Sequence, residues 1–399
     1  MIGGSSIFLL LIHLGICMRN FESLLRERLA EPSPLIQVLL GPRQVGKTTG
    51  ILRIFESWLG MKHFVSADDT LQASQIWLTE QWQMASGLGE GSLLVIDEVQ
   101  RVPDWSKVIK GLWDRSLRNK KNLRVVLLGS SSLSIQRGLS ESLAGRFELT
   151  TAPHWGFHEC QREFNYTLDE WLIWGGYPGA ETYRGQDARW RSYLTNSIVD
   201  AVIGRDILTQ KVVRNPALFR QAFAIACAYP AQEISYSKLL GQLQDAGNTD
   251  LVKSYLELYE GAFLLFSIQK YGKKPRISKS STPKLILGCP ALANLALGLD
   301  YVSSSEGKGR VFESAVGMDL LRIPGGEVFW WRDGDDEVDF IFKMQRKLFA
   351  VEVKSGRRKR TGGIEAFLKI EKSAVPCFIT PENYSEFSLD PVRFLLERC

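Results

Sequence analysis

Histidine and cysteine are scarce, with four and six residues in 399. The cysteines (Cys17, Cys160, Cys227, Cys289, Cys377 and Cys399) stand far apart, and no two form a CxxC pair. That excludes the ligand spacings of structural zinc sites and argues against a disulfide framework. A reducing cytoplasm is the expected setting. Long apolar runs are missing too: Ile7–Cys17 has eleven mostly apolar residues, whereas a bilayer-spanning helix needs about 20. Met1–Ser6 has no Lys or Arg, and no A-x-A-like cleavage site follows, which argues against a signal peptide. The chain proper is therefore expected to start at Met18, with Arg19 onward reading as an amphipathic helix and no stable membrane association. Repeats and low-complexity tracts are absent. With 45% hydrophobic and 23% charged residues, the composition excludes a fibrous or disordered chain. A net charge of only +5 does not by itself imply a nucleic-acid partner. The one dense basic block, Arg357-Arg358-Lys359-Arg360, reads either as a solvated loop or as a phosphate contact.

What is present is an alternation of apolar strands and helices. The run Leu35–Leu40 ends at a glycine and predicts a buried strand, with a helix over 46–58 behind it. Further strands are expected at 63–65, 93–96, 124–128 and 147–150, with helices at 103–117 and 132–143. This order predicts an α/β fold with a parallel sheet covered on both faces. Residues 156–215 read as helical, with a kink at Trp174-Gly175-Gly176-Tyr177-Pro178. Residues 216–271 read as three helices and a short hairpin, 282–299 as an apolar connector, and 309–379 as helix, three strands, helix, strand. The length allows two or three domains. The expected organisation is a leader or mis-assigned start (1–17), an α/β domain (18–155), a helical segment (156–215), a winged-helix-like segment (216–275) and a C-terminal α/β domain (276–399).

Gly41-Pro42-Arg43-Gln44-Val45-Gly46-Lys47-Thr48 matches G-x-x-x-x-G-K-[ST] between a buried strand and a helix. Glycines there let backbone N–H groups wrap phosphates, and Lys47 would reach the β- and γ-phosphates. The Thr48 hydroxyl would bind magnesium, and the helix N-terminus, with Thr49 in its first turn, adds its positive dipole end. The strand Leu93-Leu94-Val95-Ile96-Asp97-Glu98 supplies two carboxylates: Asp97 to hold magnesium, directly or through water, and Glu98 to orient and polarise the attacking water. ATP and Mg2+ are the expected cofactors and ATP hydrolysis the expected activity. Ser130 or Ser131, after the strand ending at Leu128, is placed to sense the γ-phosphate. Arg146 reads either as a finger reaching a neighbouring subunit of a homo-oligomer or as a structural salt bridge or nucleic-acid contact.

Together these segments resemble the AAA-type P-loop ATPases. More closely, the chain resembles a large prokaryotic group that joins such an ATPase to a C-terminal domain of unknown function. The shared phrases are Gly41-Pro42-Arg43-Gln44-Val45-Gly46-Lys47-Thr48, Asp97-Glu98-Val99-Gln100, Leu128-Gly129-Ser130-Ser131-Ser132, Leu143-Ala144-Gly145-Arg146, Gly175-Gly176-Tyr177-Pro178, Glu337-Val338-Asp339-Phe340 and Val351-Glu352-Val353-Lys354-Ser355. They run in order from about Met18 to the end. The chain departs from the group at Leu287-Gly288-Cys289-Pro290, where an aspartate before glycine-leucine is usual.

In the C-terminal part, Glu313 lies on an expected helix and Asp339 at the start of an apolar strand. Glu352 and Lys354, two apart on the next strand, share a face. This set resembles the restriction-endonuclease-like PD-(D/E)XK nuclease fold, in particular its resolvase-like branch with an extra helical glutamate. The resemblance implies one Mg2+ held by Glu313, Asp339 and Glu352, with Lys354 beside the attacking water. The plainer reading is a set of strand-end carboxylates without chemistry.

In the middle, a short helix from Ile234, a Gly247-Asn248 turn, a helix from Thr249 to Tyr259 and a strand to Gln269 follow winged-helix order. Its second helix carries one base, Lys253, and three acids, a poor face for reading DNA. Two functions remain open. The chain is an ATPase acting on or near DNA with a nuclease-like C-terminal domain, or it is a regulatory ATPase switch whose C-terminal domain only binds a protein or DNA partner.

Overall fold

The computed structural model describes residues 19–70, 72–129, 138–139, 142–208, 213, 215–243, 248–272, 282–356 and 362–399. They divide into two compact units, with the boundary between Pro153 and His154.

The first unit is built on five strands. Helix α1 (Asn20–Ala30) precedes β1 (Ile36–Leu40), followed by α2 (Lys47–Ser57), β2 (Lys62–Ser66) and α3 (Gln75–Gly87). Then come β3 (Leu93–Asp97), α4 (Trp105–Arg118), β4 (Arg124–Gly129) and β5 (Phe147–Thr151). The sheet order is β2-β3-β4-β1-β5, and every pairing is parallel. Strands β1 and β3 are buried along their whole length, which is why they read as apolar runs without alternation. The one buried polar side chain on β1, Gln37, donates its amide nitrogen to the Leu35 carbonyl and the Glu148 carboxylate. Parallel pairing brings the carboxyl ends of β1 and β3 to one edge, where open α/β sheets place their ligand sites. Helix α3 has no counterpart in the sequence reading. Most of the helix expected at 132–143 lies outside the described residues.

The second unit opens with α5 (Phe157–Phe164), α6 (Leu168–Trp174) and α7 (Asp187–Tyr193), the expected helical stretch. Two π-helical segments, Leu194–Val199 and Val202–Ile207, follow. Next are α8 (Pro216–Cys227), β6 (Gln232–Glu233), α9 (Tyr236–Gly241), α10 (Thr249–Gly261) and β7 (Leu265–Lys270). The unit continues with β8 (Lys284–Leu287), α11 (Ala291–Leu297), α12 (Leu299–Ser303) and α13 (Ser305–Leu321). It closes with β9 (Gly326–Asp333), β10 (Asp336–Met344), β11 (Lys347–Val353), α14 (Gly362–Ile370), β12 (Val375–Ile379), α15 (Tyr384–Leu389) and α16 (Pro391–Glu397).

The helix-helix-strand order of α9, α10 and β7 is present, but β7 does not stay in a separate domain. It pairs with β8 and, in parallel, with β9, inside one seven-stranded sheet of order β12-β11-β10-β9-β7-β8-β6. The winged-helix-like and C-terminal segments therefore share one sheet. The stretch read as an apolar connector supplies one of its strands, β8. Helix α13 packs closely on one face, where a Cβ on Gly317 would come within 2.8 Å of the Phe340 ring. Helix α14 covers the other face through Ile364 and Phe367 against Trp331, Val338 and Ile341.

One expectation is corrected in this unit. Cys377 and Cys399 are disulfide-bonded, with Cα atoms 5.1 Å apart, because α15 and α16 turn the chain end back toward β12. Wide sequence spacing hides such a return. Among the described residues no helix is long and apolar enough to cross a membrane.

Candidate functional site

The glycine-rich loop leaves β1 at Leu40. Gly41 passes so close to β5 that a Cβ would lie 2.0 Å from the Ala152 carbonyl oxygen. Gly46 has φ of 85° and caps α2, with nothing within 4 Å of where a Cβ would stand, so the turn is both left-handed and open. Gln44 also has positive φ, at 57°. Pro42, Arg43 and Val45 complete the loop, and Thr49 lies half-buried in the first turn of α2. Lys47 is buried, and its ammonium donates to the Gly41 and Pro42 carbonyls at 2.9 and 2.6 Å. The Thr48 hydroxyl donates to Asp97 Oδ2 at 2.9 Å, so the hydroxyl and carboxylate expected to share magnesium are in direct contact.

Asp97 Oδ1 accepts the Glu98 backbone N–H at 2.9 Å. Glu98 has φ of 50°, a left-handed conformation that costs a glutamate about 1–3 kcal/mol and is typical of functional sites. Its carboxylate accepts a bond from Gln100. Burial raises the pKa of Asp97, against the opposing pull of Thr48, the Glu98 N–H and Lys47. Burial, and then the Asp97 charge, raise that of Glu98.

One supporting residue was missed. Arg19, buried at the start of α1, donates to the Val45 carbonyl at 2.8 Å and to the Pro153 carbonyl at 2.9 Å. It braces the loop from behind. Only its place at the head of an amphipathic helix hinted at it.

Arg146 is held by Asp114 of α4 in a bidentate pair, Nε to Oδ1 at 2.7 Å and Nη2 to Oδ2 at 3.1 Å. Of its alternatives, the structural salt bridge is the one seen within this unit. Ser130, Ser131 and the block at 357–360 lie outside the described residues.

In the second unit Glu313 and Asp339 come together, but not around an open space. Lys284, at the start of β8, is fully buried. Its ammonium lies 2.5 Å from Glu313 Oε1, 3.5 Å from Glu337 Oε1 and 3.9 Å from Asp339 Oδ1. A register shift between Val338 and Ile341 places one extra residue of β10 opposite β9. This bulge lets Asp339 and Phe340 both face α13 and Lys284, while Val338 and Ile341 face α14. Glu352 on β11 pairs with Lys354.

Burial alone would lower the Lys284 pKa, but Glu313, Asp339 and Glu337 outweigh it and hold the group above the usual lysine value. Burial and the Asp339 charge push Glu313 up to about 8 and Glu352 up to about 7. Glu337, which burial would raise, ends below its ordinary value beside Lys284 and Arg332. Among the described residues, no group of three or more His, Cys, Asp or Glu side chains is arranged to hold a metal ion. The magnesium expected on Glu313, Asp339 and Glu352 does not fit this donor set, because an internal ammonium already stands among the carboxylates.

Comparison with known proteins finds three families in succession along the chain. Residues 33–161 match a family described as an AAA domain. Residues 165–303 and 308–389 match two families, each described as a domain of unknown function (DUF8612 and DUF4143). An uncharacterized protein of Methanocaldococcus jannaschii is 24% identical over 368 residues, covering 84% of this chain and 79% of that protein. One of Mycobacterium tuberculosis is 29% identical over 332 residues, covering 80% of this chain and 70% of the relative. Among solved structures, the Thermotoga maritima RuvB Holliday junction branch migration motor is 16% identical. It covers 67% of this chain and 92% of its own, with a TM-score of 0.36. The family match over residues 33–161 supports an AAA-type P-loop domain in the first unit, the ATPase half of what the sequence reading expected.

Proposed function

We propose that the chain is a magnesium-dependent ATPase whose first unit binds and hydrolyses ATP. The observation that carries this is the contact between Thr48 and Asp97 at the mouth of an open, left-handed glycine turn. The loop fits the group: backbone N–H groups from Gly41 to Thr49 cradle phosphates, and Lys47 turns from loop carbonyls to phosphate oxygens. Thr48 and Asp97 would hold Mg2+, which supplies positive charge to the β- and γ-phosphate oxygens. Glu98 orients the attacking water and accepts a proton from it at its carboxylate, a base strengthened by burial. Ser130 is the proposed γ-phosphate sensor. The test is Glu98→Gln: ATP binding is retained and turnover is lost, and normal turnover removes Glu98 from the role.

For the second unit, the ammonium of Lys284 among the carboxylates favours the regulatory reading over the nuclease-like one. In that reading the ATPase is a cytoplasmic switch, working as a homo-oligomer. Its second unit engages a protein or DNA partner, and ATP hydrolysis resets the complex. A gel assay with DNA, ATP and Mg2+ separates the two. Cleavage lost in Asp339→Ala restores the nuclease reading, while binding without cleavage supports the switch.

A further inference from the structure

The carboxylate cluster of the second unit has the composition of a divalent-cation site and the wiring of something else. Its inner oxygens face Lys284, at 2.5 Å for Glu313, 3.5 Å for Glu337 and 3.9 Å for Asp339. The ammonium also reaches the Asp339 backbone carbonyl at 3.3 Å. The Phe340 ring, with its centroid 5.2 Å from the nitrogen, closes another side. Most of the other oxygens are engaged as well, while Glu352 Oε2 is buried without a hydrogen-bond partner among the described residues. Arg310 lies 3.6 Å from Glu313 Oε2, and Arg332 pairs with Glu337 Oε2. The Val353 N–H donates to Asp339 Oδ2 at 2.7 Å, and Lys354 holds Glu352 Oε1. Mg2+ requires near-octahedral oxygen ligands at about 2.0–2.1 Å and retains several waters. A fully buried ammonium lying against Glu313, Glu337 and Asp339 occupies the space that such a metal and its waters would need among these three.

We infer that Lys284 is the built-in cation of this cluster: it takes the place that a divalent metal would need, so the carboxylates form a metal-independent site that becomes a divalent-cation site only when the lysine is removed. The swap is chemically direct. Methionine in place of lysine keeps an unbranched stem and removes the charge. It leaves Glu313, Glu337 and Asp339 facing one another across a gap the size of an ammonium group. Repulsion among them is relieved by protonation or by a cation, and Mn2+ is a cation that accepts such oxygens. The inference concerns the second unit alone and stands whether or not the first hydrolyses ATP.

The test counts Mn2+ bound to nucleotide-free, full-length protein by electron paramagnetic resonance, with thermal melts alongside. Wild type is expected to bind no Mn2+ that Asp339→Asn abolishes, and Lys284→Arg, which keeps the charge, is expected to match it. Lys284→Met is expected to bind one Mn2+ per chain and to melt at a higher temperature as Mn2+ is added. Adding Asp339→Asn to it should remove both effects. If Lys284→Met folds only with Mn2+ present, the inference is supported in its strongest form. A wild-type Mn2+ site lost in Asp339→Asn overturns it. So does a folded Lys284→Met that binds no Mn2+ and melts like wild type. Should Lys284→Met fail to fold under every condition, the wild-type and Lys284→Arg counts still decide: none bound supports the inference, and one lost with Asp339→Asn overturns it.

Discussion

The two units use the same ingredients, carboxylates at strand ends and a buried lysine, to opposite ends. In the first, Lys47 donates to its own loop through the Gly41 and Pro42 carbonyls, and the Asp97 carboxylate accepts from the Thr48 hydroxyl and the Glu98 N–H. The Lys47 charge is felt by both Asp97 and Glu98, but burial outweighs it and leaves both carboxyls raised. In the second, Lys284 enters the carboxylate cluster itself and lies against Glu313, Glu337 and Asp339. The comparison teaches that a carboxylate motif has to be read together with the cations of the protein that pack against it.

The largest effects separate the units by activity. Lys47→Ala removes the main cation for the phosphates and should abolish nucleotide binding, read by fluorescent-nucleotide titration. Glu98→Gln should retain binding and lose turnover by roughly 10²–10⁴-fold, the usual contribution of a positioned base. Neither variant should shift the melting of the second unit. A change there would break the separation.

Next in size is stability. Removing one partner of a buried ion pair costs about 3–5 kcal/mol, so Lys284→Ala should unfold the second unit at markedly lower denaturant while ATP binding persists. A loss below about 1 kcal/mol, the worth of an exposed pair, would place the cluster at the surface in energetic terms.

Comparable in size is the dependence on pH. Glu313 and Glu352 are pushed up to about 8 and about 7 in the folded state from an ordinary 4.5. A carboxyl raised on folding binds protons more readily folded than unfolded, so its contribution is fully present below the unfolded value. That contribution is lost as pH rises through the folded value. The second unit should therefore melt at a lower temperature at pH 8.5 than at pH 5.5. Glu313→Gln, which cannot titrate, should flatten that slope, and an unchanged slope would remove Glu313 as its source.

The smallest effect is at Arg146. Its pair with Asp114 is partly exposed, so Arg146→Ala should leave the melting temperature of the first unit close to that of wild type. If the pair is its whole role, ATP turnover stays within a few-fold of wild type and mixing with Lys47→Ala restores nothing. A turnover loss of about 10³-fold or more, rescued by mixing, would instead mark a finger supplied between subunits.

The first unit was readable in the sequence because its signals are local. A strand, a glycine loop with Lys47 and Thr48, and a second apolar strand ending in Asp97 and Glu98 each carry their meaning within about ten residues. Arg19 was not readable, since its target, the Val45 carbonyl, is fixed by packing of α1 behind the loop. In the second unit the elements around Glu313, Asp339 and Glu352 were legible from periodicity. Their partner was not: Lys284 lies 29 positions before Glu313 in chain numbering, at the head of a strand read as a connector. A lysine opening the apolar run Lys284-Leu285-Ile286-Leu287 was the available signal. The bulge at Asp339, which turns two consecutive side chains to one face, leaves no mark in the sequence. The Cys377–Cys399 bond depends on two short terminal helices whose return path spacing alone does not reveal.

The most direct test of the contrast is a count of Mn2+ bound to the wild-type chain with a non-hydrolysable ATP analogue. The account predicts one bound Mn2+, lost in Lys47→Ala and retained in Asp339→Asn. A second bound Mn2+ that disappears in Asp339→Asn would contradict it.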